Sequence, residues 1–272
     1  MTGGDVLERV DLDGKAIVVT GGGRGLGRGM AHALSEAGAR LMLAARTQSQ
    51  LDATAEEIRS RGGTVATFAA DVTDSTQVNA LVAACVREYG RIDVMFANAG
   101  GGGGSNAEFW DYPDDAFEQV IATNLKSTFY SCRAASKAMV EQGTGGVLVT
   151  TASGTALRGN RGFAYPTAKG GVISLTKSMA TMLAGHNIRA NCIVPGYVSQ
   201  NDPKDEQERA QRAQRGTFMP VQRLGEWWEL GPLAVFLASE ASSYITGETY
   251  IIDGGGLAGG LGPIKFRPQH EW

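Results

Sequence analysis

Cysteine is scarce in this chain: Cys85, Cys132 and Cys192 are odd in number, lie far apart, and form no Cys-x2-Cys pair. That leaves no disulfide framework and no cysteine-built metal centre, and it suits a reducing compartment, so a cytoplasmic protein is expected. Histidine is as rare, with three in all; His32 and His186 have no neighbours at metal-ligand spacing, and no metal is expected. Neither sign of charge is in excess, because 25 Lys and Arg stand against 28 Asp and Glu for a net charge of -3. Nucleic acid and anionic membrane therefore lose their electrostatic attraction as partners. No apolar run approaches the ~20 residues of a membrane span, and the opening MTGGDVLERVDLDGK lacks the apolar core of a signal peptide. No fixed-period repeat and no Pro/Ser-rich linker divides the 272 residues, so a single domain over 1–272 is expected.

Glycine is what the chain has in excess, 38 residues, about twice the usual ~7%. Its clusters at 21–29, 100–104 and 254–262 end or interrupt apolar runs. Between them, short β-branched runs alternate with longer segments of helical period, the pattern of parallel strands joined by crossover helices. Strands are expected at Ala16–Val19, Arg40–Ala44, Thr64–Phe68, Ile92–Ala97, Gly146–Thr150, Ile188–Val194 and Thr249–Ile252. Leu26, Met30, Ala33, Leu34 and Ala37 recur at three and four spacing, an amphipathic helix that stops at Gly38. Further helices are expected at about 124–142, 165–184 and 226–238. The fold class is α/β: one doubly wound, Rossmann-like domain with a parallel seven-stranded sheet and helices on both faces. Two stretches fit the alternation poorly. Residues 196–225 are polar and long, which marks a substrate lid or binding loop, and a glycine-rich tail follows from Leu257.

Two local patterns carry chemistry. Thr20-Gly21-Gly22-Gly23-Arg24-Gly25-Leu26-Gly27 lies between the first strand and the first helix, where bare N–H groups and the helix dipole favour a pyrophosphate and glycine lets it approach the backbone. Tyr165 and Lys169 stand four apart on one helix, so both side chains project from one face. Free tyrosine ionises near ~10, and bringing it to neutrality takes ~3 units, or ~4 kcal/mol, which a close ammonium and a bound cofactor charge could supply.

Taken together, these motifs resemble the short-chain dehydrogenase/reductase family, from Leu12-Asp13-Gly14-Lys15 to Ile252-Asp253-Gly254-Gly255. The resemblance implies strand order 3-2-1-4-5-6-7, a homotetramer built through the helices around 124–142 and 165–184 and the last strand, and hydride transfer between a nicotinamide and a small-molecule alcohol or ketone. By the same likeness, Gly21, Gly23, Arg24, Gly25, Leu26 and Gly27 cradle the cofactor, with Asp71 and Val72 on its adenine side. Asn98, Ala99 and Gly100 follow the fourth strand, and Pro195, Gly196 and Val198 follow the sixth. The implied catalytic residues are Asn124, Ser153, Tyr165 and Lys169: Tyr165 protonates the carbonyl oxygen, and Lys169 lowers its pKa and binds the nicotinamide ribose. Ser153 orients the oxygen and Asn124 holds the water that reloads the proton. NADP(H) is the preferred cofactor, with NAD(H) possible: Ala45 stands where NAD enzymes carry an acid, while Arg46 and Arg24 offer guanidiniums to a 2′-phosphate.

The sequence departs from the family's pattern in three places. Ser153 lies one residue closer to Tyr165 than usual, which places either a deletion near Phe163 or Ala152 at the serine position. The threonine common after Pro-Gly is not evident, and Gln200 stands near its place. Gly101 to Gly104 lengthen the loop after Asn98-Ala99-Gly100. Other features have two readings each. Arg209, Arg212 and Arg215 read as a solvated helix face or an anion clamp; Phe109, Trp110 and Tyr112 as loop packing or a substrate wall; Trp227-Trp228 as core or interface rather than chemistry. Beside the alcohol dehydrogenase or carbonyl reductase stand two alternatives, an epimerase or dehydratase with bound nicotinamide and a non-catalytic cofactor-sensing binding protein.

Overall fold

The computed structural model describes Asp5 and residues 8–160 and 162–259. Its strands are β1 (Ala16–Thr20), β2 (Arg40–Ala45), β3 (Thr64–Ala69), β4 (Val94–Ala97), β5 (Gly146–Thr151), β6 (Ile188–Pro195) and β7 (Thr249–Ile252). They form one parallel sheet in the order β3-β2-β1-β4-β5-β6-β7. The order reverses beside β1, which pairs with β2 through Ile17 and Leu41 and with β4 through Ile17 and Val94. A doubly wound sheet opens its binding crevice at that reversal, outside the carboxyl ends of the strands.

Every residue of β1 is buried, because helices cover both faces and strand side chains alternate between them. Ile17, Val19, Leu41, Leu43 and Phe96 face α1 (Gly25–Glu36), α2 (Gln48–Ser60) and α8 (Gly231–Ala238). Ala16, Val18, Met42, Met95 and Leu148 face α3 (Ser75–Tyr89), α5 (Ser127–Gln142) and α6 (Ala164–Leu183). The two remaining helices of eight residues or more are α4 (Asp114–Ile121) and α7 (Glu206–Gly216).

Three elements differ from expectation. β4 begins at Val94, not Ile92, because the side-chain amide of Gln142 takes both backbone groups of Ile92, at 2.8 and 2.9 Å, and so removes it from the ladder. The helix expected from Asn124 instead starts at Asp114 and runs to Gln142 through a π-helical stretch, Ala122–Lys126, that holds Asn124. The helix expected over 226–238 opens as a 3-10 turn, Trp227–Leu230, fixed by a reciprocal capping box between Glu226 and Glu229, and becomes α8 only at Gly231. Of the tail, residues 257–259 belong to a short helical turn, Gly256–Gly259; 260–272 lie outside the described residues.

Candidate active site

The carboxyl ends of β1, β4 and β5 are laced together by two side chains. Thr20 Oγ1 donates to the Phe96 carbonyl at 3.1 Å and accepts the N–H groups of Asn98 and Ala99, each at 3.0 Å. Asn98 Nδ2 donates back to the Thr20 carbonyl at 3.0 Å, and its Oδ1 accepts from Thr151 Oγ1 at 3.3 Å. This brace presses Asn98 against the glycine loop. Gly21 has φ +69°, and a Cβ there would stand 2.9 Å from Asn98 Nδ2; a Cβ on Gly27 would overlap the Gly21 carbonyl. Glycine is required at both places. Helix α1 starts immediately after Arg24 with no side-chain cap on its N–H groups, so its N-terminus faces the crevice as an anion site.

The crevice is a cleft of about 540 Å³ running from the glycine loop to the catalytic tetrad's expected place. It is lined by every expected cofactor residue except Gly25 and Val198, and by Ser153, Tyr165 and Lys169. Gly25 is buried against the Gln200 side chain, and Val198 packs against the core and bridges to Gly225. Asn124 is fully buried behind the wall: its Oδ1 accepts from Gly101 N at 3.0 Å, and its Nδ2 donates to the carbonyls of Gly101 and Val120, each at 3.0 Å. The amide oxygen and one amide proton hold the lengthened glycine run, and the other proton ties the side chain back to α4.

Tyr165 opens α6, where its hydroxyl hydrogen-bonds with Ser153. Of the two candidates for the serine position, Ser153 is the one bonded to Tyr165; its Oγ also accepts from Thr155 N at 3.3 Å and from Thr155 Oγ1 at 3.0 Å. One turn on, Lys169 is 3% exposed and donates to the Thr151 carbonyl at 2.8 Å, with Nζ 5.7 Å from the Tyr165 ring centroid. Burial lowers the Lys169 ammonium to about 8, since desolvation disfavours the charged form. Burial also pushes the Tyr165 phenol up, and the Ser153 hydrogen bond only partly offsets this. The resemblance implies a phenol brought down by Lys169. In the structure the shift runs the other way, because burial pushes the phenol up and the Ser153 hydrogen bond is the opposing influence.

At the other end, β2 stops at Ala45, and Arg46 and Arg24 are exposed at the cleft with no ion pair or side-chain hydrogen bond among the described residues. Asp71 Oδ1 accepts from Thr73 N at 2.9 Å and Thr73 Oγ1 at 2.7 Å, which fixes the turn after β3. Tyr112 is loop packing: its hydroxyl accepts from Ser105 N at 3.0 Å and its ring lies 4.7 Å from Phe163, which also meets Phe109 at 4.8 Å. Arg209 pairs with Glu206 on a solvated face, whereas Arg212 pairs with Glu208 and, with Arg215, lines a groove beside α7. Sequence reasoning missed the Thr151 carbonyl, Thr47 and Gln50 in the cleft wall, and the Gln200 contact with Gly25. A backbone acceptor leaves no trace in residue type, and Gln200 was visible only as a departure from a motif.

A glycine-cradled helix terminus at the sheet's reversal point, leading to a Ser-Tyr-Lys cluster, defines a dinucleotide-dependent α/β oxidoreductase. The family profile described as enoyl-(acyl carrier protein) reductase matches residues 21–256. The 2-dehydro-3-deoxy-D-gluconate 5-dehydrogenase of Escherichia coli is 36% identical over 262 residues, 93% of this chain and 99% of that protein. L-rhamnose 1-dehydrogenase (NAD(P)+) of Azotobacter vinelandii is 34% identical over 247 residues, 89% of this chain and 96% of that one. Among solved structures, a short-chain type dehydrogenase/reductase from Mycobacterium marinum superposes with a TM-score of 0.84 at 38% identity, covering 92% of this chain and 98% of that one. The chain belongs to the short-chain dehydrogenase/reductase family, whose members are oxidoreductases acting on CH–OH groups with a nicotinamide cofactor. The tight turn in which Gly21 and Gly27 leave no room for a Cβ, and the uncapped N-terminus of α1 that it presents, fit that group's diphosphate.

Proposed function

We propose that this chain is an NADP(H)-preferring dehydrogenase/reductase that interconverts a secondary alcohol and a ketone. The single observation that carries the reading is the Ser153–Tyr165 hydrogen bond directly above the buried Lys169. When bound, the nicotinamide supplies or accepts the hydride. Tyr165 gives its phenolic proton to the carbonyl oxygen during reduction and takes it back during oxidation. Ser153 orients the same oxygen. Lys169 would hold the nicotinamide ribose, and Asn124 holds the far end of the site through Gly101 and serves the path that reloads the proton.

Gly21, Gly23, Leu26 and Gly27 take the diphosphate, Asp71 and Val72 the adenine side, and Asn98 to Gly100 with Pro195 and Gly196 the stretch toward the nicotinamide. Arg24 and Arg46 take a 2′-phosphate, which supports NADP(H) over NAD(H). Residues 196–225 act as the substrate lid and the chain assembles as a homotetramer in the cytoplasm, where its three buried free cysteines stay reduced. The relatives' names cover sugars, a sugar acid, a hydroxysteroid and acyl thioesters, so the substrate is a small molecule with a CH–OH or C=O centre. The test is a panel of alcohols and ketones followed by the absorbance of the reduced nicotinamide, run with both cofactors. Turnover of at least one secondary alcohol or ketone, faster with the phosphorylated cofactor, is expected; no turnover of any, or equal use of both cofactors, overturns the reading.

A further inference from the structure

Helix α1 carries a second cluster, one turn beyond the glycine loop, that the proposed chemistry does not use. Glu57 on α2 accepts from Arg28 Nε at 2.8 Å and lies 2.9 Å from His32 Nε2. The Arg28 guanidinium sits 4.4 Å above the Trp227 ring, and His32 meets the same indole edge-on with centroids 6.1 Å apart. Gly29 leaves the space for this seat, since a Cβ there would overlap the Trp227 carbonyl. The indole's one polar atom points away from α1: Nε1 donates to Asp202 Oδ1 at 3.1 Å.

Asp202 lies near the entrance of the 196–225 segment. Residues 197–199 are pinned at the segment's other end, with Ser199 N donating to the Gly225 carbonyl at 2.8 Å and Gly225 N to the Tyr197 carbonyl at 2.9 Å. Beyond Ser199 the attachments thin out. Helix α7 buries only Gly216, and Arg212 bonds to Glu208 and to the Asn201 carbonyl within the same segment. Among the described residues, the Asp202–Trp227 bond is the side-chain hydrogen bond that ties 200–216 to residues outside the 196–225 segment. Two residues before Asp202, Gln200 lies against Gly25 and lines both the cofactor cleft and a neighbouring groove of about 750 Å³ beside α7.

We propose that Trp227 and Asp202 are positioning residues, an indole–carboxylate latch that ties the entrance of the lid to helix α1 and thereby holds Gln200 between the cofactor cleft and the groove. The inference goes beyond the proposed chemistry and needs from it only that the dinucleotide binds in the cleft. Three variants separate the latch from simple packing. Trp227→Phe keeps a ring under Arg28 and His32 and removes the N–H; Asp202→Ala removes the acceptor at an exposed position that cannot compromise folding; Asp202→Asn keeps an oxygen acceptor. Hydrogen exchange of the peptide spanning 199–206 should quicken about 3–10-fold in Trp227→Phe and in Asp202→Ala, the size expected for one hydrogen bond in a locally opening segment. The double variant should be no faster than either single one, Asp202→Asn should restore the wild-type rate, and exchange in α1 should not change. Release of NADPH, followed by its fluorescence, should quicken by a similar factor. Unchanged exchange at 199–206, additive effects, or failure of Asp202→Asn to rescue would overturn the latch. The exchange measurements read it whether or not any alcohol or ketone is turned over.

Discussion

Helix α1 buries seven of its twelve residues, whereas α7 buries one of eleven, Gly216. Both border a cavity: Arg24, just before α1, lines the cleft, and Arg212 and Arg215 on α7 line the groove. The difference lies in what orders them. Apolar contacts with β1, β2 and α8 hold α1 whatever the cleft contains. Helix α7 is polar throughout and is held by its Asp205 cap, by ion pairs along its own surface and by the latch at Asp202, interactions worth a few tenths to ~1 kcal/mol each. The molecule thus separates a preorganised half, which carries the glycine loop and the Ser153, Tyr165 and Lys169 cluster, from a weakly held, adaptable half beside it. A fixed frame costs no reordering at the moment of reaction, while a weakly held segment can answer to its ligand.

The sharpest break of that comparison is at the frame's reacting centre. Tyr165→Phe deletes one hydroxyl from a packed position and should lower kcat by ~10²–10⁴, the usual worth of general acid catalysis, while leaving the dissociation constant for NADPH within about twofold by fluorescence titration. A variant that kept more than a few per cent of the wild-type rate would remove Tyr165 from the mechanism.

Lys169 tests the frame through its stability. Its ordinary value of 10.5 falls to about 8 in the fold because the ammonium is buried. Below pH 8 both folded and unfolded chains carry the proton, and the folded protein bears the full desolvation cost. Between about 8 and 10.5 the unfolded chain binds more proton than the folded one, so stability rises with pH across that window. The total is on the order of 3 kcal/mol. Lys169→Met should therefore be more stable than wild type at pH 7 and should lose this advantage as the pH approaches 10.5, measured by thermal unfolding of the two proteins side by side. Parallel curves for the two would place the charge cost elsewhere.

A smaller effect is expected at the frame's rim. Arg24 and Arg46 reach the cleft unpaired, and a charge-assisted hydrogen bond from each to a phosphate is worth ~1.5–3 kcal/mol, tenfold or more in affinity. Arg46→Ala should raise the KM for NADP at least tenfold and that for NAD by less than twofold, and Ala45→Asp should reverse the preference by setting an acid against the phosphate. Equal loss for both cofactors would mean that Arg46 serves the fold.

The preorganised half was also the legible one. A buried parallel strand reads as an unbroken apolar run, so Ala16 to Val19 and the glycines after it located β1, the turn and α1 within a residue. The full strand order followed from the family resemblance. What could not be read lay in contacts between distant residues. Nothing in Ile92 says that the Gln142 amide, fifty positions on, will take its backbone groups. The choice between Ala152 and Ser153 stayed open until the Tyr165 hydroxyl was seen bonded to the latter. The π-helical turn around Asn124 has no compositional mark, although such turns gather at functional sites. In the adaptable half, α7 was legible as a helix face of alternating charge, but the bond from Trp227 to Asp202 ahead of it appears only in space.

The finest discrimination between the two halves comes from one substitution made in each. Alanine to glycine in a helix costs ~0.5–1 kcal/mol of backbone entropy wherever it is made, so the two variants differ only in what each helix is coupled to. Ala31 in α1 is fully buried against the core; opening α1 there means opening the sheet, and the loss, with the missing methyl added, should appear in global unfolding as a Tm lower by several degrees. Ala210 in α7 is exposed, and α7 opens without disturbing the core. Ala210→Gly should leave Tm within about one degree of wild type and instead raise amide exchange within 206–216 by about fivefold, the factor that corresponds to ~1 kcal/mol of local opening. A Tm drop from Ala210→Gly as large as that from Ala31→Gly would show that α7 unfolds only with the whole molecule, and the lid would then be part of the frame.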